Sequence, residues 1–496
     1  MTRRSAIAML VAALVLIVAV AATSSLRTST PQAAPVTAEP TQVGSTKPAE
    51  EGHGGAAEEA EQADETQERL EAAEQAREAG TFRVQTSALA LDPAPGWAGE
   101  YVLNANADDW EPAIAADPNA PYVYVLATRY EAKPCSGNCP TPWMALAVSK
   151  DGGATWGKQR PLCACKGSGQ FDPIIEVVPD TGSVYALFMN GYNVMFIRSN
   201  DHGKTWSDPV PTYGKVSWND KPILATSDDG RDIYVSWNGP KGGDPWLAQS
   251  HDAGKTWTQT RLASRDIYFY AYDADVTATG RVVFAEGAVT YGSSTGLNGP
   301  TEVHAFVSDD RGTTWTDVLV DTFPPSIACA DCRADYYAGH VALSSDARGA
   351  FTIAYDAPTT DHGLQRIYVR GSTDGGLTWT DRTAVSIDGE HATAPMMESI
   401  GAGGVRLAYY QTANGGDLDR WNVWFRSSSD GGRTWTSPVK ISDAYGGAAY
   451  KKKSGFGEVY GDYAEMAITS AGRTIAAWGE GPSYIGPGGV WINRQT

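Results

Sequence analysis

The chain has 496 residues, a formal net charge of −19 and 42% hydrophobic residues. Its 53 glycines, 16 tryptophans and 23 tyrosines are typical of a turn-rich β protein rather than a helical one. A charge this negative argues against nucleic-acid binding, which needs a basic face, so we expect no nucleic-acid partner.

The first residues predict export. Arg3 and Arg4 precede an unbroken apolar run from Ala6 to Ala22, and Ala19-Val20-Ala21 is typical of a signal cleavage site. The run is long for a cleaved signal and short for a membrane span, so residues 1–22 are either a signal peptide or an N-terminal membrane anchor. Both alternatives predict an extracellular protein, secreted or tethered to the outer face of the cell membrane.

Residues 23–80 predict a linker followed by an acidic stalk. The linker is rich in Pro and Thr, and from Pro48 to Gly80 there are eleven Asp and Glu but only two Arg. The acidic part favours helix by propensity, yet Leu70 is its only large apolar side chain. We therefore expect a solvated stalk, with residues 81–496 forming the folded domain.

A short sequence, Ser-x-Asp-x-Gly-x-Thr-Trp, occurs six times in the folded domain. A period of 50 to 64 residues is typical of propeller blades. An Asp before Gly accepts backbone N–H groups of its own turn, while the Trp packs on a neighbouring blade. Because each blade needs one such turn, we interpret these boxes as structural rather than catalytic. Their aspartates are Asp151, Asp201, Asp252, Asp310, Asp374 and Asp430.

Strand-like segments recur in the same order around the boxes. Seven fit the second strand of a blade, from "YVYVLATRY" to "TIAAWGEG", and seven fit the third, ending with "GVWINR". The last blade therefore lacks an outer strand, which we expect a segment near "FRVQTSALAL" to supply. The sequence predicts an all-β, seven-bladed β-propeller of four-stranded antiparallel blades, with six blades as the alternative.

The six boxes resemble the Asp boxes, or bacterial neuraminidase repeats, of the sialidase superfamily. The resemblance covers roughly Trp110 to the C-terminus and implies that the boxes lie on the propeller face opposite the active site. It implies an exo-α-sialidase-like hydrolase with an Arg-Ile-Pro motif, three Arg that clamp the substrate carboxylate, an Asp acid/base and a Tyr nucleophile paired with Glu. The chain departs from this pattern, because "DDWEPAIA" stands where Arg-Ile-Pro would be.

Side chains on the face opposite the boxes are the candidates for chemistry. That face carries the starts of first strands and the ends of second strands, where carboxylates and aromatic rings suit a sugar substrate. The alternative is that these side chains cap backbone groups and line a water-filled channel. The catalytic candidates are Asp462, Tyr463, Asp335, Tyr337, Asp172 and Glu111. The substrate-binding candidates are Arg129, Arg333, Asp220, Trp237, Asn238 and Glu286.

Tyr463 is the candidate nucleophile, since a neighbouring carboxylate can take its proton. Its alternative role is that of a core residue at the closure of the ring. The segment "CADCRADYYAGH" is the other cluster, because it presents an Arg, an Asp, a Tyr and His340 close together.

The cysteines form three close pairs, which in an exported protein favour disulfides over zinc. Their connectivity stays open. The sequence contains no spaced set of metal ligands, so we predict no metal site and no cofactor, although a structural calcium would suit the carboxylates of the funnel. We expect a monomer. The cysteines are Cys135, Cys139, Cys163, Cys165, Cys329 and Cys332.

Three functions are compatible with these residues. The first is an exported sialidase-like glycoside hydrolase that acts on extracellular or cell-surface glycans. The second is a non-catalytic propeller that binds a glycan or a protein at the cell surface. The third is a polysaccharide lyase, which uses Tyr and His.

We predict different effects for substitutions on the two faces. Trp435→Ala removes a ring that fastens two blades and lowers stability by about 1–3 kcal/mol. Asp462→Asn lies on the opposite face and leaves the urea midpoint unchanged. Denaturation followed by circular dichroism measures both, and an unchanged midpoint for Trp435→Ala would refute the structural interpretation of the boxes.

Overall fold

The computed structural model describes residues 34–37, 56–82, 93–131, 133–135, 137–163, 166–216, 218–239, 243–265, 267–290, 300–325, 339–412, 421–442, 463–480 and 487–496. Within these ranges, no helix is both long and apolar enough to cross a membrane. The N-terminal apolar run lies outside them, as do the candidates Arg333, Asp335, Tyr337, Asp462, Cys165, Cys329 and Cys332.

The β-branched and aromatic segments form seven antiparallel sheets, which are the blades of a propeller. The innermost strands of successive blades contact one another, and the innermost strand of the last blade contacts that of the first. The prediction of seven blades is therefore confirmed, and the six-bladed alternative is wrong.

The elements follow the chain in blade order. Before the first blade come β1 (Ala34–Thr37), α1 (Ala56–Glu78) and β2 (Tyr101–Val102). Blade 1 contains β3 (Asp109–Ala116), β4 (Val123–Arg129), β5 (Trp143–Ser149) and β6 (Arg160–Pro161). Blade 2 contains β7 (Gln170–Val177), β8 (Val184–Asn190), β9 (Val194–Ser199) and β10 (Val210–Pro211). Blade 3 contains β11 (Asp220–Thr226), β12 (Ile233–Asn238), β13 (Pro245–Ser250) and β14 (Thr258–Arg261).

The remaining blades repeat this order. Blade 4 contains β15 (Tyr268–Val276), β16 (Val282–Val289), β17 (Thr301–Ser308) and β18 (Thr314–Phe323), and β1 pairs with the outer edge of β18. Blade 5 contains β19 (Val341–Ser345), β20 (Phe351–Pro358), β21 (Gln365–Ser372) and β22 (Thr383–Ala384). Blade 6 contains β23 (Ala392–Ile400), β24 (Gly404–Thr412), β25 (Trp421–Ser428) and β26 (Val439–Lys440). Blade 7 contains β27 (Glu465–Ile468), β28 (Thr474–Glu480) and β29 (Gly489–Arg494).

The two ends of the propeller domain meet in blade 7. Its outer strand is β2, in which Tyr101 pairs with Ile492 and Val102 with Trp491. An N-terminal segment does complete the last blade, but it lies after "FRVQTSALAL", most of which is outside the described ranges. The closure joins the first and last blades, so the ring has no open edge there.

All six boxes have the same hydrogen bonds. In the last box, Asp430 accepts from the Ser428 hydroxyl at 2.8 Å, the Thr434 amide at 2.9 Å and the Thr434 hydroxyl at 2.6 Å. The corresponding distances in the other five boxes are within 0.2 Å of these. Each box aspartate thus binds groups of its own turn, and its hydrogen bonds lower its pKa.

The glycine that all six boxes share, two residues after the aspartate, contacts the preceding blade. Gly254 in blade 3 has φ +80°, and a Cβ there would overlap the ring of Phe196 in blade 2. Gly153 in blade 1 has φ +82°, and a Cβ there would overlap Ile475 in blade 7. These positions need glycine both for the left-handed backbone and for the close approach of neighbouring blades.

Helix α1 differs from the solvated stalk that the composition predicts. Arg69 is 2% exposed and Ala73 is 1% exposed, so one side of the helix is buried. The large buried side chain on that side is the cation Arg69. A pattern of apolar residues therefore does not predict that this side of the helix is buried. The rest of the described helix surface is mostly exposed and acidic.

The described cysteines are in disulfides. Cys135 and Cys139 bond to each other, with their Cα atoms 5.9 Å apart. Cys163 is also disulfide-bonded, and its partner lies outside the described ranges.

The boxes predict a specific loss of stability in acid. Hydrogen bonds lower the pKa of Asp252 to about 2, from about 4 in the unfolded chain. The ionised carboxylate therefore stabilises the fold above pH 4, and this contribution disappears as the pH falls towards 2. We expect Asp252→Asn to lower the urea midpoint at pH 7 and to lose this effect near pH 2. The exposed Asp208→Asn is the control, and an equal shift in both variants would contradict the prediction.

Candidate functional site

We call the face opposite the boxes the top face. The first strand of a blade begins there, and in five blades its pairing with the second strand is interrupted by a β-bulge. Four bulged residues have positive φ and precede a proline: Glu111 (53°), Asp172 (51°), Lys221 (48°) and Ala394 (47°). We call these four residues the bulge ring.

The bulge explains the repeated X-Pro pattern. Proline has no N–H, and it falls where the strand pairing skips, as at Pro112 between the paired Trp110 and Ala113. A non-glycine residue at positive φ costs about 1–3 kcal/mol and persists only where its surroundings hold it. Such bulges are common beside functional sites because they change the direction of a side chain.

Carboxylates hold the bulges in place from the preceding blade. Glu111 Oε2 accepts the Thr128 hydroxyl and, at 3.4 Å, the amide of Asp172. Asp172 Oδ2 accepts the amide of Lys221 at 3.2 Å. Glu111 and Asp172 are 7% and 4% exposed. These two catalytic candidates therefore connect blades 1, 2 and 3.

Lys221 also contacts the ring of Tyr463. Its Nζ lies 5.7 Å from the centroid of the Tyr463 ring, a cation–π distance that joins blade 3 to the segment before blade 7. Tyr463 also packs against the large hydrophobic cluster of blades 1 to 4. Tyr463, Lys221, Asp172 and Glu111 thus form one connected group, which we call the mouth.

A second group lies at the start of blade 5. Asp356 is fully buried and accepts from the His340 amide and from His340 Nδ1, both at 2.9 Å. Because an ionised carboxylate only accepts, Nδ1 of His340 is the donor in this hydrogen bond. The ring of Tyr272 lies 5.3 Å from the His340 ring. The sequence shows both His340 and Asp356, but it does not predict their contact, which depends on the pairing of β19 with β20.

The other described candidates are buried within blades. Arg129 binds Asp109 bidentately, with distances of 2.6 and 2.8 Å, and is 6% exposed. Asn238 donates to Asp220 at 3.3 Å, and Asn238 and Trp237 are fully buried.

Glu286 is 1% exposed and accepts the Ser236 hydroxyl of blade 3 at 2.6 Å. Burial raises its pKa to about 8. The hydrogen bond of Glu286 therefore joins blades 3 and 4.

A cavity of about 830 Å³ runs along the axis of the ring, below the mouth. Its wall comes from the first strand of every blade and from the turns of the box face. Seven carboxylates of the described residues line it. Five of them repel one another electrostatically: Glu176, Asp273, Asp275, Glu398 and Glu465.

Three of these carboxylates accept backbone N–H groups of the following blade. Asp273 accepts from Leu343 at 2.7 Å, and Glu465 accepts from Ile114 at 2.9 Å. Asp275 accepts from Ser345 at 2.6 Å. Burial nevertheless raises the pKa of Asp273 and of Glu465 to about 8. Among the described residues, no group of three or more Asp, Glu, His or Cys is placed to hold a metal ion.

The comparisons with known proteins agree with this architecture. The profile of the BNR repeat-like domain matches residues 132–278 and 233–458. The chain belongs to this family. No curated protein sequence matches the chain.

Several solved structures are similar to this propeller at low identity. An intramolecular trans-sialidase from Ruminococcus gnavus is 13% identical, with a TM-score of 0.43, covering 82% of this chain and 98% of that one. A polysaccharide lyase described as a PL25 ulvan lyase is 13% identical, with a TM-score of 0.46 and coverages of 80% and 94%. A protein of unknown function from Dyadobacter fermentans is 14% identical, with a TM-score of 0.45 and coverages of 81% and 99%. Identities this low leave the reaction of the BNR-repeat chain open.

The cavity carboxylates predict that the stability of the fold decreases as the pH rises. Burial and then the neighbouring Glu176 raise the pKa of Glu398 well above its ordinary value. Ionisation therefore destabilises the fold, and stability is lost as the pH rises from about 4, the unfolded pKa, towards the folded pKa. We expect Glu398→Gln to raise the urea midpoint at pH 8 and to leave it unchanged at pH 4. The exposed Glu68→Gln is the control, and a pH-independent shift in Glu398→Gln would contradict this account.

Proposed function

We propose that this BNR-repeat protein is an exported, sialidase-like glycoside hydrolase whose reaction centre is the mouth. The observation that supports the proposal is the contact of Lys221 with Tyr463, beside two carboxylates on adjacent strands. Carboxylates, a tyrosine and an aromatic surface are the groups that glycoside hydrolysis uses.

In this mechanism Tyr463 is the nucleophile: its oxygen bonds to the anomeric carbon as the glycosidic bond breaks, and a carboxylic acid of the mouth protonates the leaving oxygen. Water then releases the sugar from Tyr463. A phenol attacks a sugar carbon only when its proton is removed, and a nearby cation stabilises the resulting phenolate. Lys221 supplies that positive charge. Asp462, which precedes Tyr463 in the chain, is our candidate for the base that takes the proton.

The carboxylates of the mouth have a positioning role in addition to any contact with the sugar. Asp172 holds the backbone of Lys221, and Glu111 holds the backbone of Asp172. Substituting either one therefore moves Lys221 relative to Tyr463. Their variants alone do not distinguish an acid catalyst from a structural support, whereas variants of Tyr463 do.

The second candidate function is that of a polysaccharide lyase. The group of His340, Asp356 and Tyr272 at the start of blade 5 supports it. A lyase removes the proton next to a uronic acid carboxylate and expels the sugar oxygen, leaving a double bond. His340 with Asp356 behind it forms a base, and Tyr272 beside it has a hydroxyl that can protonate the leaving oxygen. This candidate depends on residues of blades 4 and 5 rather than on Tyr463.

We predict that Tyr463→Phe lowers kcat/KM on fluorogenic sialosides or other glycosides by about 100-fold or more, because the hydroxyl is the reacting group. The urea midpoint is expected to stay near that of the wild type. Tyr122→Phe is the matched control, since its ring stacks on His202 and lies away from the mouth.

Two other outcomes would redirect the assignment. If Tyr463→Phe keeps full activity while His340→Ala abolishes the rise in ultraviolet absorbance on uronic acid polymers, the protein is a lyase. If the wild type binds glycans on an array but releases no product from any of these substrates, it is a binding propeller. Recovery of the protein outside the cell, or on the outer face of the membrane, tests the proposed export.

A further inference from the structure

Arg69 of helix α1 is buried against the rim of the top face. Its guanidinium carbon lies 4.4 Å from the centroid of the Trp110 ring and 4.7 Å from that of the Tyr130 ring. Arg69 is 2% exposed, although the rest of the described helix is mostly exposed and acidic. Arginine is rarely buried to this extent without a specific partner.

Asp108 supplies the negative charge of this pocket. It is fully buried, and its Oδ1 accepts the indole N–H of Trp110 at 2.6 Å and the amide of Gly488 at 2.7 Å. Its Oδ2 has no hydrogen-bond partner among the described residues. Burial raises the pKa of Asp108 to about 7, and attraction by Arg69 opposes this rise. The carboxylate is thus held rigidly and has one oxygen available to a cation.

The pocket is built by the propeller and not by the helix. Asp108 and Trp110 flank the start of β3, Tyr130 follows the end of β4, and the three meet through the pairing of these strands. The indole is fixed by its hydrogen bond to Asp108, and Gly488 of the last blade contacts the indole ring closely. Two aromatic faces and a buried carboxylate suit a flat, weakly hydrated cation such as guanidinium.

The helix has further contacts on the same side. Arg77, two turns after Arg69, lies 3.3 Å from Glu131 through Nη2, and Ala73 between them is buried. The spacing of Arg69, Ala73 and Arg77 places them along one side of the helix. Arg77 and Glu131 are substantially exposed, so their ion pair contributes little. Arg69 is therefore the main anchor.

We propose that Trp110, Tyr130 and Asp108 form a guanidinium-binding pocket, which Arg69 of the same chain occupies. Helix α1 is then a tethered ligand on the top face, at the strand start that also carries Glu111. Loss of Arg69 leaves a preformed pocket that accepts a free guanidinium cation. This proposal does not depend on which reaction the mouth performs.

The first experiment removes the anchor in the full-length protein. In Arg69→Ala we expect the amides of residues 66–77 to exchange with deuterium about tenfold or more faster than in the wild type, the effect expected for two lost cation–π contacts. Arg433→Ala, an exposed arginine on the box face, is the matched control and is expected to leave this exchange unchanged. Unchanged protection in Arg69→Ala would overturn the role of Arg69 as the anchor.

The second experiment tests the pocket with methylguanidinium by calorimetry. We expect Arg69→Ala to bind one equivalent with a dissociation constant on the order of 1 mM. The wild type and Arg433→Ala are expected not to bind, because Arg69 fills the pocket. Methylammonium is expected to bind at least about tenfold more weakly, since it cannot stack on the rings.

Two further variants locate the binding in this pocket. In the Arg69→Ala background, Asp108→Asn removes the charge and Tyr130→Ala removes one ring, and either is expected to abolish the binding of methylguanidinium. Circular dichroism establishes whether each variant is folded. The methylguanidinium binding of each folded variant then tests the location of the pocket. Binding that survives these substitutions, equal binding of methylammonium, or no binding to Arg69→Ala would each overturn the proposal.

Discussion

The innermost strand of each blade has a strand partner on one side only, and its other edge must find hydrogen-bond acceptors elsewhere. In this protein, carboxylates of the preceding blade supply them. Glu111, Asp172, Asp273, Asp356 and Glu465 each accept an N–H from the first strand of the following blade. These bonds span five of the seven blade interfaces within the described ranges, so the ring is fastened on its inner side by acids and near the box face by glycine contacts.

This constraint gives the acids of the top face two roles at once. The same hydrogen bonds that close the blade interfaces hold Asp172 and Lys221 in a strained, left-handed conformation. From this backbone, the side chain of Lys221 contacts the ring of Tyr463. In the cavity below, the acids that perform the same task are buried among like charges, which raises their pKa values and lowers stability at high pH. The fold therefore gains inter-blade bonds at an electrostatic cost.

Helix α1 adds a cation to a face dominated by carboxylates. Its acidic composition suggests repulsion from the propeller, yet Arg69 has a specific partner in Asp108 and two aromatic rings. A single buried cation between rings outweighs several exposed like charges because water screens the latter. The segment that precedes the propeller thus has its own contact with the top face.

The repeated boxes and the recurring strand segments determined the fold, because one turn per blade with a fixed Asp, Gly and Trp leaves few alternatives to a propeller, and the seven strand segments give the number of blades. They also indicated the opposite face, where Glu111, Asp172 and Tyr463 do come together. The sequence could not separate these residues from Trp237, Asn238 and Glu286, since all stand at similar strand ends, and burial depends on how neighbouring blades pack. Nor could it pair His340 with Asp356 or Arg69 with Trp110, which are 16 and 41 positions apart. Those contacts required tertiary structure, because only the closure of the ring decides which strand ends share a space.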